Sequence, residues 1–325
     1  MQSIIKEDDQ NIVPIDAVIL WVDGNDEKHK EKILPYIKSS GKVQTKKFRT
    51  RYDQVNEIKF TIDSILKFAS YIRNIYIITD NQTPSFLDAK TTNDNYNKIS
   101  IVDHSIVFSG YEEFLPTFNC RPIETCLHRI PNLAEHFIYF NDDFFLINET
   151  KPSDFFKDGL PILRGKWLKF DEDILYKKFK KARTGHKTIQ QNAAKLIGFN
   201  EYYNFKHTPH PLRKSTFENY FEENEDIFVE NIKHKFRNKN QFTPQGLANH
   251  LEIKNKTCYF KNDLQLMYFR SYKKPLFWYT YKLNKKDKGK LFLGLQSLDL
   301  CPPNILSFIL QWLEKRINYN INLSN

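Results

Sequence analysis

A chain of 325 residues and 38.8 kDa provides for one large domain or two small ones, with roughly three quarters of the unfolded surface buried on folding. Hydrophobic residues at 40%, charged residues at 27%, and only 10 glycines and 14 prolines exclude collagen-like, low-complexity and wholly disordered classes. The 49 Lys and Arg outnumber the 39 Asp and Glu, a formal charge of +10, so the expected partners are polyanions: nucleic acid, acidic lipid or phosphorylated substrates.

Residues 16–22 (DAVILWV) are an apolar run of strand length that ends in Asp23-Gly24-Asn25-Asp26, a turn dense in side-chain oxygens. From Asn56 to Phe68 apolar residues recur at Ile58, Ile62, Ile65 and Leu66, a helical spacing. Tyr76-Ile-Ile-Thr79 then predicts a second buried strand, ending in Asp80-Asn81-Gln82. After a polar loop at 91–98, Ile99–Val102 is a third strand candidate. Arg121–Arg129 reads as helical, and His136–Phe140 is a fourth strand that delivers Asn141-Asp142-Asp143. The alternation of strand, polar cluster and helix predicts an α/β fold with parallel strands, which binds its ligands beyond the carboxyl ends of those strands.

Past Pro152 the texture changes. A basic stretch at 177–183 precedes helix-like segments around 188–198, 215–224 and 241–251, read as a mostly helical insertion or cap over 157–255. Residues 256–325 return to the core through a lysine- and aromatic-rich segment at 273–290 and close on an amphipathic helix from Asn304 to Arg316. The whole of 1–325 is then one catalytic unit with its α/β core at 15–156. Four cysteines without a C-x-x-C pair predict reduced thiols rather than a zinc site or disulfide framework. No window approaches the roughly 20 apolar residues of a membrane span, and acids occupy the start where a secretory leader is apolar. The expected location is the cytoplasm.

Adjacent carboxylates after an apolar strand are hard oxygen donors, so Asp142 and Asp143 are candidate ligands for Mg²⁺ or Mn²⁺ holding a diphosphate. The alternative is a polar turn that caps the next element. Asp23 could serve a ribose, a metal or an attacking hydroxyl, or simply shape an Asp-Gly turn. His207 and His210, three apart on a proline-stiffened segment, suit acid/base work or phosphate binding, or a structural role. Arg51 and His234-Lys-Phe-Arg237 are candidate phosphate clamps, because a guanidinium fork matches phosphate oxygens. The 273–290 segment suits an acidic membrane or a polyanionic chain, or a solvated basic loop with anchoring rings.

In order along the chain, several blocks resemble the Stealth family, which includes bacterial capsular polysaccharide phosphotransferases and the animal enzyme that adds N-acetylglucosamine-1-phosphate to lysosomal glycoproteins. The first block is Ile15 to Asp26. The second runs from Arg51 through Asn56-Glu57, Tyr76–Gln82, Leu115-Pro-Thr-Phe-Asn119, Ile123-Glu124, Leu127–Pro131 and Phe140-Asn-Asp-Asp-Phe-Phe145 to Pro152–Phe156. The third holds His207-Thr-Pro-His210 and His234–Arg237. The fourth, Gly294-Leu-Gln-Ser-Leu-Asp299, is the loosest, since animal members carry a Cys-Leu-Asn-Asp-like stretch there.

The resemblance implies a GT-A-like, Rossmann-type core that binds a nucleotide sugar, and transfer of a sugar-1-phosphate from a UDP-sugar to a saccharide hydroxyl with release of UMP. It implies catalytic roles for Asp23, His207, Arg237 and Asp143, and a divalent metal on Asp142 and Asp143. Arg51, Asn56, Asp80, Asn81, Asn119, Glu124 and His210 are the implied donor and acceptor contacts. The implied setting is capsule or other surface-polysaccharide synthesis, in the cytoplasm or peripherally at the inner face of the membrane, with no nucleic-acid partner. The rival expectations are a glycosyltransferase that releases UDP and a noncatalytic polyanion-binding protein.

Overall fold

A computed structural model describes residues 13–39, 55–87, 96–174, 185–263 and 265–318. The basic stretch at 177–183, most of the 91–98 loop and Arg51 lie outside the described residues.

Strand β1 (Ile15–Leu20) leads into helix α1 (Glu27–Ser39), whose first turn is capped by Asp26: its Oδ1 accepts the His29 N–H at 2.8 Å. Helix α2 (Glu57–Phe68), strand β2 (Ile72–Thr79), strand β3 (Ile99–Asp103), the short helix α3 (Cys120–Thr125) and strand β4 (His136–Asn141) follow. With strand β9 (His210–Arg213) they form a five-stranded sheet in the order β3-β2-β1-β4-β9. β1 pairs in parallel with both β2 and β4, β2 with β3 likewise, and only β9 is antiparallel. The expected mixed α/β architecture with parallel strands is present.

The unbroken apolar run in β1 has a simple cause: both faces of the sheet are covered. Ala17, Ile19, Ile75, Ile77, Ile138 and Phe140 pack on one side with Ile58, Ile62 and Ile65 of α2, the spacing legible in the sequence. Val18, Tyr76, Ile78, Phe137 and Tyr139 pack on the other. The exception in the run is Asp16, fully buried, which accepts two hydrogen bonds from Arg73 (2.9 and 2.6 Å) and one from the Ala134 N–H at 2.7 Å. A buried carboxylate persists only when its oxygens are satisfied in this way, and here it ties β1 to β2 and to the loop before β4.

Strand β5 (Phe144–Leu146) leaves the central sheet at once and pairs antiparallel with β12 (Phe292–Leu295), which lies beside β11 (Leu266–Phe269). Strands β6 (Phe156–Lys157), β7 (Leu160–Leu168), β8 (Tyr202–Phe205) and β10 (Tyr259–Lys261) form the remaining pairings. Among the described residues, the segment 157–255 carries four α-helices, α4 (His186–Leu196), α5 (Lys214–Glu223), α6 (Glu225–Ile232) and α7 (Pro244–Asn255). It does not stand apart as a cap, however. β9 completes the central sheet, and Phe217, Phe221, Phe228, Ile232 and Leu247 form much of the cover on the Val18 face. Helix α8 (Leu276–Lys285) falls within the lysine-rich segment, and the closing helix α9 (Pro303–Asn318) is present. All four cysteines are free. Among the described residues no helix is long and apolar enough to cross a membrane.

Candidate active site

The carboxyl ends of β1, β2 and β4 open into a cleft of about 720 Å³. Trp21 and Val22 enter it from β1, Ile78 from β2 and His104 from the turn after β3, while Asn141, Asp142 and Asp143 stand at the end of β4. The two aspartates reach it together because β4 stops at Asn141, so the pleat no longer sends successive side chains to opposite faces. Their backbone is pinned on both sides: Thr61 Oγ1 of α2 donates to the Asp142 carbonyl at 2.6 Å, and the Leu295 N–H of β12 donates to the Asp143 carbonyl at 3.1 Å.

Three further carboxylates line the cleft, Glu57 at the start of α2, Glu124 in α3 and Asp299 after β12. Burial, then the Glu57 charge, pushes the Asp142 carboxyl up to about 7. Asp143 is raised well above the ordinary carboxylate range by burial, then by Asp142 and Glu57, and Glu57 is raised chiefly by burial with Asp299 adding to it. Two arginines line the same cleft. Arg237 donates from a terminal guanidinium nitrogen to Cys120 Sγ at 3.5 Å, and buried Arg121 donates to the Asn238 carbonyl at 2.7 Å.

His207 packs against Phe144 and His186, with ring centroids 4.8 and 5.3 Å apart, and its Nε2 lies 3.5 Å from Asn141 Nδ2. Burial, then the neighbouring His186 and Arg270, lowers its pKa to about 3, and burial with His207 lowers His210 similarly. Both rings are neutral at pH 7. At the β3 end, His104 Nε2 and Thr117 Oγ1 are buried in the cleft wall without a hydrogen-bond partner.

The donor set suits a hard divalent cation, since several carboxylates disfavoured as anions lie in one cleft. Among the described residues no three His, Cys, Asp or Glu side chains form a group that could hold a metal ion. The carboxylates present are hard oxygen donors of the kind a divalent cation takes one or two at a time.

Residues 13–41 match conserved region 1 of Stealth proteins and residues 51–163 match conserved region 2. Over 95% of its length the chain is 30% identical to the capsular polysaccharide phosphotransferase cps1A of Actinobacillus pleuropneumoniae, covering 84% of that protein. The chain belongs to the Stealth family. It is also 34% identical to the capsular polysaccharide phosphotransferase fcs1 of Haemophilus influenzae, over 85% of this chain and 76% of that one. The receptor polysaccharide phosphotransferase WefC of Streptococcus gordonii is 33% identical over 69% of this chain and 73% of its own. Among solved structures, the galactosyltransferase LgtC is similar at a TM-score of 0.44 and 10% identity, over 94% of this chain and 95% of that one. The Stealth membership expected from the ordered blocks, and with it a transferase enzyme, is borne out.

Of the residues singled out from the Stealth blocks, Asn119, Glu124, Asp142, Asp143, His207, His210 and Arg237 line the cleft. Asn119 caps α3 and donates to Gln241 Oε1 at 2.9 Å, and Glu124 accepts from the Tyr139 hydroxyl at 2.9 Å. Four others are not among the lining residues. The Asp23 carboxylate accepts the Asn25 N–H at 2.8 Å and shapes the turn that brings in Trp21 and Val22. Asp80 binds Lys32 at 2.7 Å and sits 3.7 Å from His29; those partners outweigh burial and hold its carboxyl below the usual range. Asn81, at φ +54°, donates its N–H to Asp103, and Asn56, at φ +63°, turns the chain so that Glu57 enters the cleft. Arg121, His186 and Tyr139 line the cleft with no motif of their own to announce them. Glu57 and Asp299 were present in the blocks, but only the fold shows their shared environment.

Proposed function

We propose that this Stealth protein transfers a hexose-1-phosphate, N-acetylhexosamine-1-phosphate in the first instance, from a UDP-sugar to a hydroxyl of a saccharide acceptor, releasing UMP in the synthesis of a capsular or other surface polysaccharide. The observation that carries this reading is the presence, in the lining of one cleft, of the Asp142–Asp143 turn together with Arg121 and Arg237. Phosphoryl transfer asks a protein chiefly for charge neutralisation and in-line positioning, and this cleft has groups of both signs for a diphosphate.

In this reading the acceptor oxygen attacks the phosphorus that carries the sugar, the bond from that phosphorus to the UMP oxygen breaks, and the anomeric bond survives. Neutral His207 takes the acceptor proton as the new phosphodiester forms, with Asn141 beside its Nε2 and His210 on the next strand. Arg237 binds phosphate oxygens from the α3 side, and Arg121 supports them from the buried wall. Asp142 and Asp143 would hold Mg²⁺ or Mn²⁺, which when bound neutralises diphosphate charge. Asn119 and Glu124 shape the pocket along α3. The unsatisfied His104 Nε2 and Thr117 Oγ1, beside Trp21 and Phe118, suit the polar edge and flat face of a nucleoside base. Asp23, Asn56, Asp80 and Asn81 support the site through its turns. The chain works as one catalytic unit in the cytoplasm, at the inner face of the membrane.

Incubation with UDP-sugars, a divalent cation and capsule-like oligosaccharides, followed by weighing the products, tests the reading. UMP together with a product heavier by sugar plus phosphate is the expected result. Release of UDP with a product heavier by sugar alone would make the protein a glycosyltransferase. Retention of no UDP-sugar, alongside tight binding of other polyanions, would leave a binding protein.

A further inference from the structure

The lysine- and aromatic-rich segment is not used by the cleft. In the structure it forms α8, and Phe277 is 73% exposed, more than any other large apolar side chain among the described residues. Tyr281, one turn on, is 51% exposed. The opposite face of the same helix is anchored: Tyr279 and Leu283 are fully buried against β11, β12 and α9, and the Tyr279 hydroxyl donates to the Ser271 carbonyl at 3.1 Å. The helix therefore has a fixed orientation in which two rings point to solvent.

The same segment carries exposed Lys273, Lys274, Lys285, Lys286 and Lys288. From 271 to 290 the sole acid is Asp287, and it is buried and paired with Arg316 at 3.2 Å, so it does not offset the lysines on the outer face. Lys282 and Lys286 lean over Trp278 and Tyr281 at 5.4 and 5.9 Å from the ring centroids. Asn284, an amide on the outward side, has its carbonyl oxygen engaged by Trp312 Nε1 at 3.0 Å.

We propose that α8 is a docking face for an anionic lipid bilayer, seating Phe277 and Tyr281 among the headgroups while the segment's lysines meet lipid phosphate. Aromatic rings settle at the membrane–water boundary, and clustered lysines beside them are drawn to anionic leaflets. Long lysine stems lie along the apolar surface and keep their ammonium groups in the headgroup layer. Neither signal holds a protein alone, and two rings with a basic patch together give shallow, reversible attachment. A soluble phosphodiester-linked chain would use the lysines but has less need of a bare phenyl ring in the same segment. The proposal is independent of the transfer chemistry, because it concerns a different face and its test reads binding alone.

Pelleting of the intact chain with phosphatidylcholine vesicles, with and without phosphatidylglycerol, tests it. Binding only to the phosphatidylglycerol vesicles, weakened by salt, is expected. F277S/Y281S should lower the bound fraction about tenfold. The quadruple variant K273E/K274E/K285E/K288E should lose binding by at least about fivefold per lysine. All four lysines and both rings are exposed, so the thermal midpoint should hold; F277S alone serves if the double variant does not fold. The idea is overturned if wild type ignores the anionic vesicles, or if F277S/Y281S binds them as well as wild type. It is also overturned if soluble polyphosphate strips the protein from vesicles while ring substitutions change nothing, which would make the face a polyanion track.

Discussion

Thr61 Oγ1 donates to the Asp142 carbonyl at 2.6 Å, and through this bond the buried face of α2 positions the acidic turn at the end of β4. Thr61 has no reach into the chemistry itself, yet Thr61→Val keeps its shape and leaves that carbonyl without the bond. The expected cost is about 1–2 kcal/mol of stability. Turnover should fall while the KM for donor changes little, read by steady-state UMP release alongside chemical unfolding.

Asp143→Asn should lower turnover by about 10²–10³-fold. It should not lower the thermal midpoint of metal-free protein, because burial and the neighbouring Asp142 and Glu57 already disfavour its charge. Removing divalent ions with a chelator should abolish UMP release in wild type, and added Mg²⁺ or Mn²⁺ should restore it. Full turnover in Asp143→Asn would remove this residue from the metal assignment.

Arg237 is exposed and held near Cys120, so its substitution should affect phosphate binding without disturbing the core. Arg237→Ala should cost about 10³-fold in kcat/KM, and Arg237→Lys about tenfold, since an ammonium keeps the charge and loses the bidentate fork. Parallel measurement of unfolding separates this from a folding defect.

Two buried histidines should make the fold acid-sensitive in a defined window. Burial lowers His128 to about 3 and His250 to about 4. His250 Nε2 accepts the Tyr203 N–H at 3.0 Å while its Nδ1 faces the Gly246 carbonyl at 2.6 Å, so a second proton would break the first bond. Below the unfolded value near 6.5 the unfolded chain binds protons that the native rings refuse. The contribution of these two rings is then full above pH 6.5 and falls as pH drops toward 4, by about 1.4 kcal/mol per pH unit per histidine, while the raised carboxyls of Asp142, Asp143 and Glu57 act in the opposite sense. His128→Phe, placed among Phe217, Phe221 and Phe228, should flatten the dependence of thermal midpoint on pH.

Gly294 occupies a position on β12 where a Cβ would stand 2.6 Å from the Tyr268 ring and 2.8 Å from the Phe144 ring. Gly294→Ala should cost about 1–3 kcal/mol by overpacking. It should also lower turnover, because Phe144 adjoins Asp143 and packs on His207. A thermal midpoint equal to wild type would show that the rings yield freely.

The strands, the helix α2 and the acidic strand ends were legible because each rests on local information. Ile58, Ile62 and Ile65 repeat at the helical period, and β1 and β4 are apolar on both faces because helices cover both. The composition of the Asp23, Asp80 and Asp142 clusters looked alike, but their uses differ. Asp80 is committed to Lys32 and His29, and Asp23 to its own turn, whereas Asp142 and Asp143 remain in the cleft. Nothing in three similar acid-bearing turns separates them until the partners are in place.

By itself, then, the sequence determined the α/β alternation, the Stealth family and the candidate site residues, since periodicity and ordered motifs are properties of adjacent residues. The tertiary structure alone decided which of those residues meet. It set Glu57 and Asp299 beside the Asp142–Asp143 turn, placed buried Arg121 with Arg237, made β9 an antiparallel edge of the central sheet, and turned Phe277 and Tyr281 outward. Each of these depends on contacts between segments far apart in the chain, and such contacts are settled by packing and by satisfying buried polar groups, not by local pattern.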